Sequence, residues 1–319
     1  MISGAKPFKI SSSSPSSDGN DNDDFDIEID DKFLINKELL IVVPEPLCTT
    51  HNSTIYPASY NGRRVAVKEP KSRKFFRREI AALSQLNHEN VVEFIGASVD
   101  DMKIVMELVM GPSLKKHLRD LKPHCLDLKT SIEFAIQIAQ AMEYLHRKGI
   151  IHRDLKPSNL LLTMNLKHIK LVDFGLARKM AVEEKSSEVG SFKWMAPEVF
   201  STYPFKPGEK KKYSHKVDIY SFAIVLWELI TNRPPFEEID ILDMKEHVVY
   251  MKKRPSLKDI PEDIALLLQS CWSDNPAYRP EFTVIITSLY KFLNKLQPKE
   301  EAISSSNLLS CGLPVCSSM

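Results

Sequence analysis

The sequence predicts an α+β fold, and three observations carry that prediction. Period-two alternation of apolar residues, the mark of strands, is concentrated before about residue 110. Helical spacing dominates after it, in one long amphipathic stretch and one stretch apolar nearly all round. With 319 residues, 43% hydrophobic and 27% charged, the chain has material for a two-lobed core plus tails.

The elements follow in chain order. Residues 1–31 are rich in Ser, Asp and Asn, with few large apolar groups. Such a segment buries too little to offset its ordering entropy, so a disordered, solvating tail is expected. It holds eight acids against Lys6 and Lys9, a net of −6, which leaves about +7 for the rest. Folding is expected from Lys32, with residues 33–43 as a lead-in and first strand that Pro44 and Pro46 interrupt. Residues 64–68 alternate, so Val65 and Val67 share one face and Ala66 and Lys68 the other. Phe75, Phe76, Ile80, Leu83 and Leu86 then recur at helical spacing, and Glu79 falls inside their stripe. A carboxylate on a buried face needs a partner, and Lys68 is the nearest candidate in the sequence.

Strands are expected at 91–94 and 104–108, the second broken by Gly111, Pro112 and Ser113. A long amphipathic helix is expected over 131–147 from Ile132, Ala135, Ile136, Ala139, Met142 and Leu145. Thr130 and Glu133 have capping-box spacing at its start, and Gly149 suits its C-terminal turn. Residues 217–230 predict a helix buried on every side, with further helices between about 240 and 296.

Composition narrows the function. A net charge of +1 argues against nucleic-acid binding. Cys48, Cys125, Cys271, Cys311 and Cys316 show no CxxC pair and no His at ligand spacing. Neither a disulfide framework nor a zinc site is suggested. A reducing cytoplasmic setting is expected, with the nucleus or a peripheral membrane position as alternatives. The first residues hold no apolar leader and position 2 is not Gly, so neither secretion nor myristoylation is expected. The longest apolar run, 219–230, is too short for a bilayer and contains Glu228. Cys316 to Met319 have the length of a prenylation box, but Ser317 and Ser318 are not aliphatic, so membrane anchoring is not expected.

The chemistry centres on residues 150–175, IIHRDLKPSNLLLTMNLKHIKLVDFG. Asp154 stands in a polar loop, Asn159 follows five residues on, and alternating Ile169 and Leu171 predict a strand that gives way to a turn at Asp173. Asn159 and Asp173 are hard oxygen donors of the kind that hold Mg²⁺ with substrate phosphates, and Asp154 can accept a proton from an attacking hydroxyl. His152 to Asn159 fit H-R-D-L-x-x-x-N without a gap, and Asp173 to Gly175 fit D-F-G. On these residues the chain resembles the protein kinases.

The resemblance covers roughly residues 32–296 and implies a bilobal protein-kinase fold. Residues 32–110 would form a small lobe of antiparallel sheet with one helix, and 111–296 a larger, mainly helical lobe, with ATP between them and a flexible tail at 297–319. Val65-Ala66-Val67-Lys68 resembles the family's V-A-I-K strand, whose lysine, oriented by Glu79, contacts the α- and β-phosphates. Met106 would be the gatekeeper, with the backbones of Glu107 and Val109 on the adenine edge, and Ile55, Ala66 and Leu161 around the nucleotide. Asn159 and Asp173 would hold Mg²⁺, with Mn²⁺ as an alternative; Asp154 would orient the acceptor hydroxyl, and Lys156 would face the transferring phosphoryl group. Asp218 would accept backbone hydrogen bonds from the catalytic loop. The loop from Asp154 to Asn159 resembles the serine/threonine-specific one, and Ser191 keeps the hydroxyl that bonds the catalytic Asp and Lys in such enzymes. C-W-S-D-N-P-A-Y-R-P at 271–280 resembles the closing motif of tyrosine-kinase-like and Raf-like kinases, in which Arg279 pairs with Glu198. The expectation is a plant-type Raf-like or mixed-lineage-like serine/threonine kinase acting on protein substrates in intracellular signalling.

One stretch departs from the family. G-x-G-x-x-G-x-V aligns with residues 48–55, putting Cys48, Thr50 and Ser53 at the glycine positions and keeping only the valine, as Ile55. Glycine there permits positive φ, and a β-carbon in a left-handed position costs about 1–2 kcal/mol. A stiffer or higher-riding loop and weaker ATP affinity are therefore expected, with the chemistry retained. Arg153 implies control by an upstream kinase acting on Ser186 or Ser187, and the basic run at 206–216 reads as a solvated loop. The rival reading is a pseudokinase scaffold that acts by protein interaction. Retention of Lys68, Glu79, Asp154, Asn159 and Asp173 together argues for turnover.

Overall fold

Alternating β-branched and small residues in the first third of the chain build a six-stranded antiparallel sheet. The structure is a computed structural model that describes residues 8–9, 28–179, 192–200 and 214–296. A short pair, β1 (Phe8–Lys9) and β2 (Glu28–Ile29), precedes the sheet, and Ile29 is already buried in the main core, three residues before the expected start at Lys32. The sheet itself comprises β3 (Leu40–Val42), β4 (Cys48–Thr49), β5 (Ser53–Tyr60), β6 (Arg63–Pro70), β7 (Phe94–Ser98) and β8 (Lys103–Glu107). Its order is β3-β5-β6-β8-β7, with β4 added alongside β5. The β5–β6 hairpin turns at Asn61 and Gly62, whose φ values of 48° and 76° are those a two-residue hairpin with matching twist requires.

Pleating separates the two faces of β6. Val65 and Val67 pack with Ala58 and Val105 in a small outer cluster, whereas Ala66 joins Ile104 and Met106 in the main core. Lys68 therefore points inward, toward α1 (Arg73–Leu83). Ser72 caps that helix, its hydroxyl accepting from the Lys74 N–H at 3.2 Å, and Phe76, Glu79, Ile80 and Leu83 form the buried face.

Two strand expectations need correction. Only residues 40–42 of the 33–43 segment are strand, because Asp30 and Asn36 cap 3₁₀ turns at Asp31–Phe33 and Lys37–Leu39. The strand expected at 91–94 instead runs Phe94–Ser98, while Val91 forms only a bridge to Leu171. Gly96, Ala97 and Ser98 gave no alternation to read. Gly96 is small for a reason: a β-carbon there would lie 2.5 Å from the Phe33 carbonyl oxygen.

The larger lobe contains α2 (Leu114–Leu121), α3 (Leu128–Arg147), α4 (Pro197–Phe200), α5 (Lys216–Thr231), α6 (Glu262–Cys271) and α7 (Phe282–Leu296), with a π-type turn at Glu246–Tyr250. Short strands β9 (Ile150–Ile151), β10 (Leu160–Leu162), β11 (Ile169–Leu171) and β12 (Arg178–Lys179) lie on its upper surface, β10 pairing with β11 and β9 with β12. The start of α3 is also corrected: Asp127 is the N-cap, accepting from the Thr130 N–H at 2.9 Å and its hydroxyl at 2.6 Å, so the Thr130–Glu133 box is not the cap. Gly149 follows with φ 72°. Helix α5 is the central post, buried continuously from 217 to 227. Ser131 bonds the Leu229 carbonyl across the α3–α5 contact, and Ser221 bonds the Trp194 carbonyl, tying residues 192–194 to the post. Among the described residues, no helix is long and apolar enough to cross a membrane.

Glu228 lies near the C-terminal end of that post, and burial pushes its carboxyl up to about 7 despite the Trp194 indole N–H that it accepts at 3.1 Å. An unfolded chain loses this proton near pH 4.3. The folded state thus holds an extra proton between those values, and stability falls as pH rises through about 7. Glu228→Gln, which keeps an oxygen for Trp194, is expected to gain melting temperature over wild type at pH 8 and to lose that advantage at pH 5. A pH-independent difference between the two proteins would contradict this assignment.

Candidate active site

Strand β6 delivers Lys68 to the cleft below the sheet, and α1 delivers Glu79 from the side. The ammonium donates to Glu79 Oε1 at 2.7 Å and to Asp173 Oδ1 at 2.8 Å, with the Lys68 side chain only 6% exposed. Burial alone would lower the Lys68 pKa; the two carboxylates outweigh it and hold the ammonium above its ordinary value. Burial would likewise raise Asp173, but Lys68 prevails and its carboxyl is pulled down to about 2. Asp173 is therefore an anion across the working pH range. Its φ of 67° is a left-handed conformation that a non-glycine residue adopts at a cost, and it aims the side chain back at Lys68. Phe174, fully buried, stacks edge-on against His152 at 5.2 Å and locks that turn from behind.

The loop after β9 is organised around Asp218 at the start of α5. Its Oδ2 accepts from the His152 N–H at 2.9 Å and its Oδ1 from the Arg153 N–H at 2.8 Å, as the sequence led us to expect. Burial would raise its carboxyl, but the bond from His146 and those from the backbone hold it below the usual range. Arg153 has φ 71°, so the chain is bent sharply and Asp154 turns into the cleft. Asp154 Oδ2 accepts from Lys156 Nζ at 2.7 Å and from Asn159 Nδ2 at 3.0 Å. Asn159 also donates to the Asp154 carbonyl, so its amide nitrogen is committed to the loop and its oxygen is left as an acceptor.

Ser53, Lys68, Glu79, Asp154 and Asp173, among others, line one small polar cleft. A carboxylate held ionised, an amide oxygen and a buried ammonium fit a triphosphate carrying a hard divalent cation. Above it, Ala66 lies opposite Met106 in the sheet register and Ile55 opposite Lys68. Met106 is buried; Glu107 closes β8, its carboxylate accepting from the Glu93 N–H and from Lys170. Leu161 lies on β10, opposite Lys170. Val109 follows β8 by two residues. Ser191, Ser186, Ser187 and all but the last three residues of the basic run lie outside the described residues.

The glycine-free loop differs from the strained one the sequence suggested. No residue from 48 to 53 has positive φ, so the side chains carry no left-handed cost. Thr50 instead clamps a tight turn: its hydroxyl accepts from the N–H groups of Asn52 and Ser53, and its own N–H donates to the Ser53 carbonyl at 2.8 Å. Lys71 Nζ donates to the Thr50 carbonyl from below. Sequence reasoning missed these partners. The signal was a threonine opening a four-residue polar turn, where hydroxyls bond the following N–H groups. Cys48 is exposed on β4, opposite Ile55.

Residues 44–289 match the protein tyrosine and serine/threonine kinase family. The serine/threonine/tyrosine-protein kinase HT1 of Arabidopsis thaliana is 36% identical over 256 residues, 76% of this chain and 63% of that protein. The serine/threonine-protein kinase STY46 of the same plant is 35% identical over 81% of this chain and 45% of its own length. Human mitogen-activated protein kinase kinase kinase 7 is 37% identical over 74% of this chain and 39% of its own. The chain thus spans between two fifths and two thirds of the length of these relatives.

Proposed function

This chain belongs to the protein tyrosine and serine/threonine kinase family, and on that premise we propose that it transfers the terminal phosphoryl group of ATP to serine and threonine hydroxyls of proteins. The observation that carries the proposal is the Lys68 ammonium held between Glu79 and Asp173 at 2.7 and 2.8 Å, on the cleft that Asp154 also lines. Held by Glu79, Lys68 neutralises and positions the phosphates. Asp154 accepts the proton of the acceptor hydroxyl as its oxygen bonds to the terminal phosphorus and the bond to the leaving diphosphate breaks. Lys156, 2.7 Å from Asp154, offsets charge on the moving group. Asn159 and Asp173 would hold Mg²⁺, or Mn²⁺, which supplies further charge neutralisation when bound with the nucleotide.

We assign the small lobe to residues 32–110, with Ile29 just ahead of it packed into the same core, and the large lobe to 111–296; the sheet ends at Glu107 and α2 begins at Leu114. The adenine is assigned to the space between Ile55 and Ala66 above and Leu161 below, with Met106 behind and the Glu107 and Val109 backbones at its edge. Ser191 is assigned to the acceptor side, and an upstream kinase to Ser186 or Ser187. Five scattered cysteines without a CxxC pair support a cytoplasmic setting. Presented with a mixture of serine, threonine and tyrosine peptides and Mg-ATP, the protein is expected to label serine and threonine in preference to tyrosine. Label confined to tyrosine would overturn the acceptor assignment.

A further inference from the structure

Behind the catalytic loop, three helix ends meet at a second polar site. His146 lies in the last turn of α3, His215 immediately precedes α5, and Glu281 immediately precedes α7. One ligand atom from each lies within 4.8 Å of the others. His215 Nε2 is already 2.9 Å from Glu281 Oε2, and the rings of His146 and His215 meet at 5.0 Å. The three residues line a surface cleft together with Glu143, Arg147, Phe282 and Thr283.

The His146 ring sets this cluster apart from an ordinary surface group. Its side chain is only 9% exposed, and its Nδ1 is buried with no hydrogen-bond partner among the described residues. Its other nitrogen, Nε2, is 2.9 Å from Asp218 Oδ2. A carboxylate holding one imidazole nitrogen while the other is left without a proton partner is how proteins orient a metal-ligating histidine. Ligands at about 2.0–2.2 Å on a tetrahedral zinc ion stand about 3.3–3.6 Å apart, so a set already within 4.8 Å needs to contract by at most about 1.5 Å to hold one. Lys216 Nζ, 2.6 Å from Glu281 Oε1, leaves Oε2 for the ion and keeps a second acceptor in the Arg279 carbonyl.

We propose that His146, His215 and Glu281 form a zinc site, with His146 oriented by Asp218. Two imidazoles and one carboxylate select a borderline transition-metal ion over Mg²⁺, which prefers all-oxygen sites. The site is separate from the nucleotide cleft yet joined to it: Asp218 Oδ2 also accepts from the His152 N–H, so an ion on His146 fixes the carboxylate that shapes the loop bearing Asp154. This inference does not depend on phosphoryl transfer.

The test titrates Zn²⁺, and then Co²⁺ as a spectroscopic probe, into metal-stripped full-length protein holding millimolar Mg²⁺ and no nucleotide. One saturable equivalent is expected, with a cobalt spectrum lacking the thiolate charge-transfer bands that capture by a cysteine, Cys48 or Cys125 among the exposed described residues or Cys311 or Cys316 elsewhere in the chain, would give. His215→Ala and Glu281→Gln, at part-exposed side chains, are each expected to weaken binding about tenfold or more while melting near the wild-type temperature without metal. Absence of saturable binding, a thiolate spectrum, or unchanged affinity in both variants would overturn the site. If a variant fails to fold, the wild-type cobalt spectrum decides alone.

Discussion

Asp154→Asn is expected to cut phosphoryl transfer by about 10²–10⁴-fold while leaving the fold and nucleotide affinity near wild type. The substitution preserves shape and removes the proton acceptor. In the structure, Asp154 Oδ2 takes two donors, from Lys156 at 2.7 Å and Asn159 at 3.0 Å, and an amide oxygen in its place still accepts both. What it no longer offers is a basic oxygen for the acceptor hydroxyl. Lys68, Glu79 and Asp173 are untouched, so Mg-ATP should still raise the melting temperature as it does for wild type. Steady-state turnover on a peptide substrate, paired with that nucleotide-induced shift, checks both halves. Turnover within a few-fold of wild type would remove Asp154 from the reaction.

Arg279→Met is expected to cost about 3–5 kcal/mol of stability, the range for breaking a buried ion pair from one side. Arg279 is fully buried and forks onto Glu198 at 2.6 and 2.8 Å. It also donates to the carbonyls of Ser273 and Lys216, and its guanidinium lies 5.3 Å from the Tyr220 ring on α5. Methionine fills similar volume but satisfies none of these acceptors. A fall in melting temperature of about 6–20 °C is the expected reading for a lobe of this size. Arg279→Lys should recover little of it, because a point charge cannot reproduce the planar fork. The pair anchors the segment around Glu198 to the α5–α7 scaffold, so acceptor binding should weaken with it. A loss under about 1 kcal/mol would mean that the pair is screened and structurally idle.

What was legible in the sequence was chemistry carried by short, ordered runs. Lys68 and Glu79 could be paired because alternation fixed one face of a strand and helical spacing fixed one face of the next element. Asp218 could be assigned to the catalytic loop through the resemblance to kinases, and the two backbone N–H groups that donate to it, those of His152 and Arg153, agree. Less was legible where side chains override pattern. Asp127 starts α3 early because a carboxylate caps better than the threonine that follows, and small residues at 96–98 hid a strand built on close backbone approach. The loop at 48–53 read as strained because glycines were missing, whereas the Thr50 hydroxyl satisfies its N–H groups without positive φ. That clamp carries a consequence for function: N–H groups already bonded to Thr50 must exchange partners before they can meet a phosphate. The cluster of His146, His215 and Glu281 was invisible, because its members are 69 and 66 residues apart and only tertiary packing unites them.

The central claim is that Lys68, Asn159 and Asp173 grip one metal-bound nucleotide above Asp154. A crystal structure of the protein with Mg²⁺ and a non-hydrolysable ATP analogue tests it most directly. The account predicts phosphate oxygens within hydrogen-bonding reach of Lys68 Nζ, a cation shared by the Asp173 carboxylate and the Asn159 amide oxygen, and the terminal phosphate facing Asp154. A cleft still closed by the 50–53 turn, with Lys68 bonded only to Glu79 and Asp173 and the nucleotide absent or bound elsewhere, would contradict it.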